Sequence, residues 1–330
     1  EPTNARHFSP EEPLEKKPAW PIVVAALIIF IVVTGGLTFF IRFTMSQNAA
    51  ELAAIKAEGD RHLNEAITLI QEADTIVIAF DNTNENKVTE EALPQLEALL
   101  DQIPSAQETL DVAITKAELA QTTYVTAEDK QLAQYAIDAA TARKDMLDLS
   151  SQLTSYDIAA MLCAVEFSTA WDLLIAADGD MRLAVEVVNE NGNGAVGQAM
   201  EYNQAADDKL TQAQEAIARA SELLPEADFS SIVNYLTAKR ESVALAIASD
   251  EALLADDIAG ANRLNDEFVS KDAQVVELAT LIPEEPISLI VNAYDEATSE
   301  VRTAYHTARD LAADADAFLR AFVGTNVRAQ

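Results

Sequence analysis

The chain has 330 residues with 22 Lys and Arg against 55 Asp and Glu, a formal net charge of -33. Phosphate contacts and anionic lipid headgroups both demand clustered basic side chains, so the composition excludes nucleic-acid binding and peripheral docking on acidic membranes. A single cysteine, Cys163, excludes an intrachain disulfide and any Cys-based zinc or iron–sulfur site, and three histidines leave little for a histidine-rich metal centre.

In chain order, residues 1–19 carry Pro2, Pro10, Pro13 and Pro18 and almost no apolar side chains, which predicts an extended, disordered tail. Ile22 to Ile41 then run twenty residues without a charge. At about 1.5 Å per residue this matches a hydrocarbon core of roughly 30 Å, so a single transmembrane helix is expected over 20–42. Trp20 and Arg42 stand at its two ends as interfacial anchors. The run is too long for a signal-peptide core and lacks a convincing cleavage site after it. Lys16 and Lys17 just before the span favour a cytoplasmic N-terminus and an extracellular body.

Everything after the span reads as helix. The chain holds 60 alanines, the strongest helix former, and shows no sustained alternation of the kind a strand needs. Leu52, Gly59, Ala66, Ala73 and Phe80 recur every seven residues, with Ile55, His62, Leu69 and Ile76 as a companion row. This heptad seam predicts that the membrane helix continues to about Phe80, with His62 packed as a structural side chain. Asp81 to Lys87 reads as a polar turn. Thr126 to Asp129 reads as a capping box ahead of a helix through about Ser150. Further helices are expected near 154–176, 180–188, 198–223, 227–249, 251–281 and 287–322.

The Gly- and Asn-rich stretch 189–197 is the strongest break, and it predicts a hinge between a membrane-proximal helical domain, 43–188, and a distal one, 198–330. A shift of 100 residues aligns Leu110 with Leu210, Tyr135 with Tyr235, Leu153 with Leu253, and Asp157-Ile158-Ala159 with Asp257-Ile258-Ala259. In period this resembles spectrin-like repeats. The fold class expected is therefore all-α: one N-terminal transmembrane helix continuing into an elongated multi-helix bundle, with two tandem helical repeats.

Chemistry-bearing motifs are scarce. The chain contains no phosphate-binding glycine loop, no HExxH and no GxSxG. Cys163 lies in the apolar stretch AAMLCAVEF and reads as a small buried hydrophobe. Asn189, Asn191, Asn193, Gly194 and Val196 follow the early spacing of a calcium loop, but Met200 stands where a bidentate Glu is needed. Asp81 to Glu85 fails in the same way, with Ala92 at the twelfth position. Carboxylate groupings (Asp207-Asp208, Asp256-Asp257, Glu284-Glu285 and Asp310/Asp314/Asp316) read as solvated faces.

No catalytic, cofactor-binding or metal residue is expected. The reading is a non-enzymatic, membrane-anchored surface protein acting as a stalk, scaffold or assembly subunit. Its expected partners are the lipid bilayer through Ile22–Ile41 and other proteins, a second copy among them, through helix faces. Two other layouts stay open. A helical bundle next to a membrane resembles the ectodomains of bacterial chemoreceptors. An N-terminal span followed by spectrin-like helices resembles the bacterial septation-ring regulators, with the body in the cytoplasm.

Overall fold

A computed structural model describes residues 47–84 and 92–328. The expected membrane span Ile22–Ile41, the tail before it and residues 85–87 of the expected turn lie outside the described residues; Asp81 to Asn84, expected to open that turn, are helical instead. Within them the chain is all-helical, with no strand.

Eight α-helices follow in order: α1 Gln47–Asn84, α2 Leu93–Leu100, α3 Ile103–Thr123, α4 Ala127–Asn191, α5 Val196–Leu223, α6 Ser230–Leu254, α7 Ile258–Ala279 and α8 Ser288–Arg328. Prolines fall where a missing N–H costs nothing. Pro94 and Pro104 sit in the first turns of α2 and α3, and Pro225, Pro283 and Pro286 lie between helices. Thr126 and Asp129 meet at the start of α4 as their spacing predicts, with one of the two capping-box bonds formed and a hydroxyl–carboxylate bond beside it. Asp129 N donates to Thr126 Oγ1 at 3.1 Å, and that hydroxyl donates to Asp129 Oδ2 at 2.8 Å.

Helix α4 departs from expectation by running 65 residues without a break, where separate helices ending near Ser150 and 176 were anticipated. No proline interrupts it, and the Ser and Thr side chains bond backward along the helix, as Ser155 Oγ does to Ser151 O at 2.8 Å. It ends at Asn191, followed by Gly192 at φ 68° and a short 3-10 turn, Gly192–Ala195. The turn from α6 into α7 uses Asp256 at φ 60°, and Asp257 caps α7 by accepting from Gly260 N at 2.9 Å. This acidic pair therefore builds a turn.

The helices pack as two compact units. The first takes α1 to Ala79, α3, α4 to Asp148, and α8 from Tyr305. The second takes Phe80–Asp101 and the chain from Leu149 to Ala304. The Gly/Asn stretch 189–197 falls inside the second unit. In the first, α1 buries Gly59, Leu63, Ala66, Ile67, Ile70, Ala73 and Val77. The expected row Gly59, Ala66 and Ala73 is present, but Leu52 is exposed, and Ile55, His62, Leu69 and Ile76 are only half-buried. Leu63, Ile70 and Val77, one position further on, take their place. A helix packed against several neighbours needs a broader stripe than a two-stranded seam.

In the second unit Cys163, Phe167, Ala170, Leu174 and Ala177 of α4 meet Leu210, Ile217, Ile232 and Leu236 in the core, and Phe167 stacks on Phe229 at 5.8 Å. By length and composition α4 is the one described helix that could cross a membrane. Here Cys163, Phe167, Ala170 and Leu174 lie in this core, Val165 and Ile175 are exposed, and Glu166 pairs with Arg219 at 2.9 Å.

Two glycines inside helices make opposite demands. A Cβ on Gly59 would lie 2.7 Å from the ring of Tyr124, which is buried and whose hydroxyl donates to Asp60 at 2.7 Å. A Cβ on Gly179 would meet nothing within 4 Å. Gly179→Ala should stabilise by about 0.5–1 kcal/mol through helix propensity. Gly59→Ala should destabilise despite the same gain, because the Tyr124 ring must move. Denaturant midpoints of the two variants, measured side by side, check the difference in sign.

Candidate functional site

Three charged residues of the first unit occupy positions that their helices turn inward. Asp74 lies between Ile70 and Val77 on α1, Arg143 between Ala140 and Leu147 on α4, and Asp316 between Ala312 and Leu319 on α8. Their exposures are 9%, 3% and 5%. A guanidinium has five N–H donors, and the geometry accounts for all of them. Nε and Nη2 donate to the two Asp74 carboxylate oxygens at 2.5 and 3.1 Å. Nη1 and Nη2 donate to Asp316 Oδ1 and Oδ2 at 3.3 and 2.9 Å, and Nη1 also reaches the Ala139 carbonyl at 3.2 Å.

Both aspartates are thus bidentate partners of one cation, which suits the planar fork of arginine and not the point charge of lysine. Burial works against the charge on Arg143, but Asp74 and Asp316 outweigh it and hold the guanidinium more firmly protonated than usual. Burial pushes the Asp74 carboxyl above the ordinary range; Arg143 opposes this, and the nearby Asp316 adds to it. Ile67, Ile70, Ala139 and Leu319 line a small recess beside the cluster, with room for on the order of one water molecule. Such an arrangement can tie three helices together and hold a proton. It offers no space for a substrate.

Smaller polar clusters recur elsewhere. In the first unit Lys56 Nζ bonds Asp129 at 2.6 Å and lies 3.6 Å from Asp60, which also receives the Tyr124 hydroxyl. In the second, buried Lys239 bonds Asp178 at 2.6 Å and reaches the Tyr235 hydroxyl at 3.3 Å. Asn203 donates to Asp250 at 2.9 Å, and the Tyr294 hydroxyl donates to Asp157.

The sequence-marked positions fare differently. Asp310, Asp314, Asp208, Asp256, Asp257, Glu284 and Glu285 are exposed, as a solvated face requires. Asp316 is not: it is buried against Arg143, a correction to the reading of that group as surface charge. Asp207 accepts from Arg240 Nε at 3.1 Å. Cys163 is buried, with its thiol pushed up to about 11 by burial. Asn191 donates to Val187 O at 3.2 Å, which turns its side chain back onto α4. Among the described residues no group of three or more His, Cys, Asp or Glu side chains is placed to hold a metal ion. The cluster at Arg143 escaped the sequence reading, although its signal was there: a charged residue at an inward-facing helical position on each of three helices.

Two expectations follow from this chemistry. Replacing Arg143 by Met leaves two buried carboxylates uncompensated and should cost about 3–5 kcal/mol; a denaturant midpoint close to the parent's would show that the cluster carries no net structural weight. Burial also raises the carboxyls of Asp60, Asp74, Asp157 and Asp250. A raised carboxyl binds its proton more tightly in the folded chain than in the unfolded one, so stability grows as pH falls toward these values. Glu65 and Asp228 shift the other way, but both are surface groups with weak leverage. The melting temperature should therefore rise between pH 7 and pH 5, and a falling one contradicts the assignment. No protein-family model, no curated protein and no solved structure matches this chain.

Proposed function

We propose that the chain is a non-enzymatic, membrane-anchored surface protein. Ile22–Ile41 holds it in the bilayer, and its acidic helical body serves as a stalk, scaffold or assembly subunit. The observation that carries this reading is a burial pattern that repeats at a spacing of 100 residues. Leu63, Ile67, Ile70 and Val77 of α1 are buried, and so are Cys163, Phe167, Ala170 and Ala177 of α4. Leu110, Ala113, Ala117 and Ala120 of α3 correspond in the same way to Leu210, Ala213, Ile217 and Ala220 of α5. Leu132 and Ala136 of α4 correspond to Ile232 and Leu236 of α6.

Random agreement over three helices without a gap is hard to arrange, so the pattern supports tandem three-helix repeats in which α4 ends one and begins the next. Modules that bury their stripes against themselves and their neighbours suit spacing and display better than catalysis. The series also has an end. Asp257-Ile258-Ala259 repeats Asp157-Ile158-Ala159, yet a new helix begins there. Where α4 has Cys163, Phe167, Ala170 and Leu174, α7 has Arg263, Glu267, Ser270 and Gln274, all exposed. A polar terminal element of this kind is what a finite array needs. Ile258, Val269 and Val276 are exposed on α7 and mark it as a face that could meet another protein.

The test has two arms. The complete chain should stay with membranes through alkaline carbonate extraction, while residues 44–330 alone should be soluble and strongly helical by circular dichroism. Protease added to intact cells should remove the body. A complete chain released by carbonate overturns the anchor. A body left untouched overturns the extracellular placement and favours the cytoplasmic adaptor.

A further inference from the structure

In the first unit the helix α8 is joined to α1 and α4 through one buried cation that already has a partner. Arg143 is bidentate to Asp74 without any help from α8. Bringing Asp316 to the same guanidinium adds a second carboxylate. The oxygens of the two aspartates share Nη2, at 3.1 and 2.9 Å, so they lie within about 6 Å of each other. With α8 docked and every group ionised, the cluster carries one positive and two negative charges in a site almost closed to water. With α8 lifted away, Arg143 and Asp74 remain a neutral pair and Asp316 returns to solvent. The apolar inward face that α8 brings to this unit is mostly small, with Ala308, Ala312 and Ala315 beside Tyr305 and Leu319. Electrostatics therefore has unusual leverage over whether this helix stays down.

We propose that α8 is an acid-tightened strap: its docking on the first unit is coupled to uptake of one proton by the Asp74–Asp316 pair around Arg143. The charged surroundings are few. From α1 the cluster is faced by Asp74 alone, with the neutral Gln71 beside it. From α4 it is faced by Arg143. From α8 it is faced by Asp316; Arg320 donates to the backbone oxygen of Asp316 at 3.3 Å and leaves its carboxylate to Arg143. On α3, Asp111 is committed to Lys144 at 2.6 Å on the exposed side. Among the described residues no further charged side chain lines the cluster, so a proton is the available counter-charge. The raised Asp74 carboxyl is the direction this coupling requires. Docking then favours the state in which one aspartate is protonated and donates to, or stands beside, its ionised neighbour. The coupling makes the strap loosest in neutral or alkaline surroundings and tightest in mildly acidic ones.

Amide hydrogen exchange on the complete chain in detergent micelles tests this, with α8 residues 308–319 compared against α3 as an internal reference. After correction for the intrinsic exchange rate, α8 protection should rise as pH falls from 7.5 to 5.5. One linked proton sets an upper limit of about tenfold per pH unit. Asp316→Asn and Asp74→Asn each remove one carboxylate of the pair and leave an amide of the same size. In either variant the α8 slope should collapse onto that of α3. The proposal is overturned if α8 keeps the parent's slope in both variants, or if it exchanges in step with α3 at every pH in the parent chain. Should one variant fail to fold, the other decides.

Discussion

Alanine sets the terms on which this protein is held together. A buried Leu or Phe contributes a large apolar area from one position, whereas a buried Ala contributes a methyl group and little else. The interiors of both units are built largely from Ala: Ala106, Ala113, Ala117 and Ala120 on α3, and Ala206, Ala213, Ala216 and Ala220 on α5. Small side chains let backbones approach closely and recover contact through packing density. Each turn still adds only modestly, so stability must accumulate along length. Helices of 65 and 41 residues are what such a composition requires. Deep occupants such as Leu110, Leu147, Leu210 and Leu236 are spaced among the alanines and set where the neighbours must sit.

A smooth alanine face carries a second cost: it specifies register poorly. One helix can slide along another by a turn and find much the same surface. Buried polar contacts remove that freedom, because a slipped register leaves an unpaired charge or hydroxyl away from water. Arg143 with Asp74 and Asp316 pins three helices of the first unit at one level. Tyr124 with Asp60, over Gly59, pins the end of α3 against α1. In the second unit Lys239 with Asp178, and Tyr294 with Asp157, act between α6 and α4 and between α8 and α4. Such pairs add little net stability beside an apolar replacement of equal shape. Their value here is in selecting one alignment out of several.

The same reasoning explains what could be read from the sequence. The all-helical class, the cap at Thr126 and the starts of α5 and α8 were legible, because propensity and punctuation are local. The uninterrupted α4 was not, since Ser150, Ser151 and Gly179 look like breakers until packing outvotes them. The seam of α1 was half right. Its heptad spacing was visible, but which of two adjacent rows turns inward depends on how many helices surround it. The charge cluster was missed for a related reason. An Asp or Arg in an acidic chain looks like solvated surface, and only its phase relative to Ile70, Val77 and Leu147 betrays it. Phase has to be judged against a known stripe, and the stripe was one residue out.

The net charge of -33 takes on a different meaning beside this core. Held on helix surfaces, so large an excess repels itself and weakens the folded state while keeping the chain soluble. Inside the first unit, the cluster at Arg143 repeats the imbalance in miniature, with one cation between two carboxylates. Exterior and interior therefore respond to protons in the same direction: each proton taken up relieves repulsion, outside in high dielectric and inside in low. The interior response is the sharper of the two, because screening by salt reaches surface charges and leaves a site with exposures of 3–9% almost untouched. Raising the ionic strength should thus flatten the diffuse surface contribution and leave the buried one in place. The distinction matters for any role at a membrane. A partner or an ion atmosphere can neutralise the outer charge, but only a proton can reach the inner one.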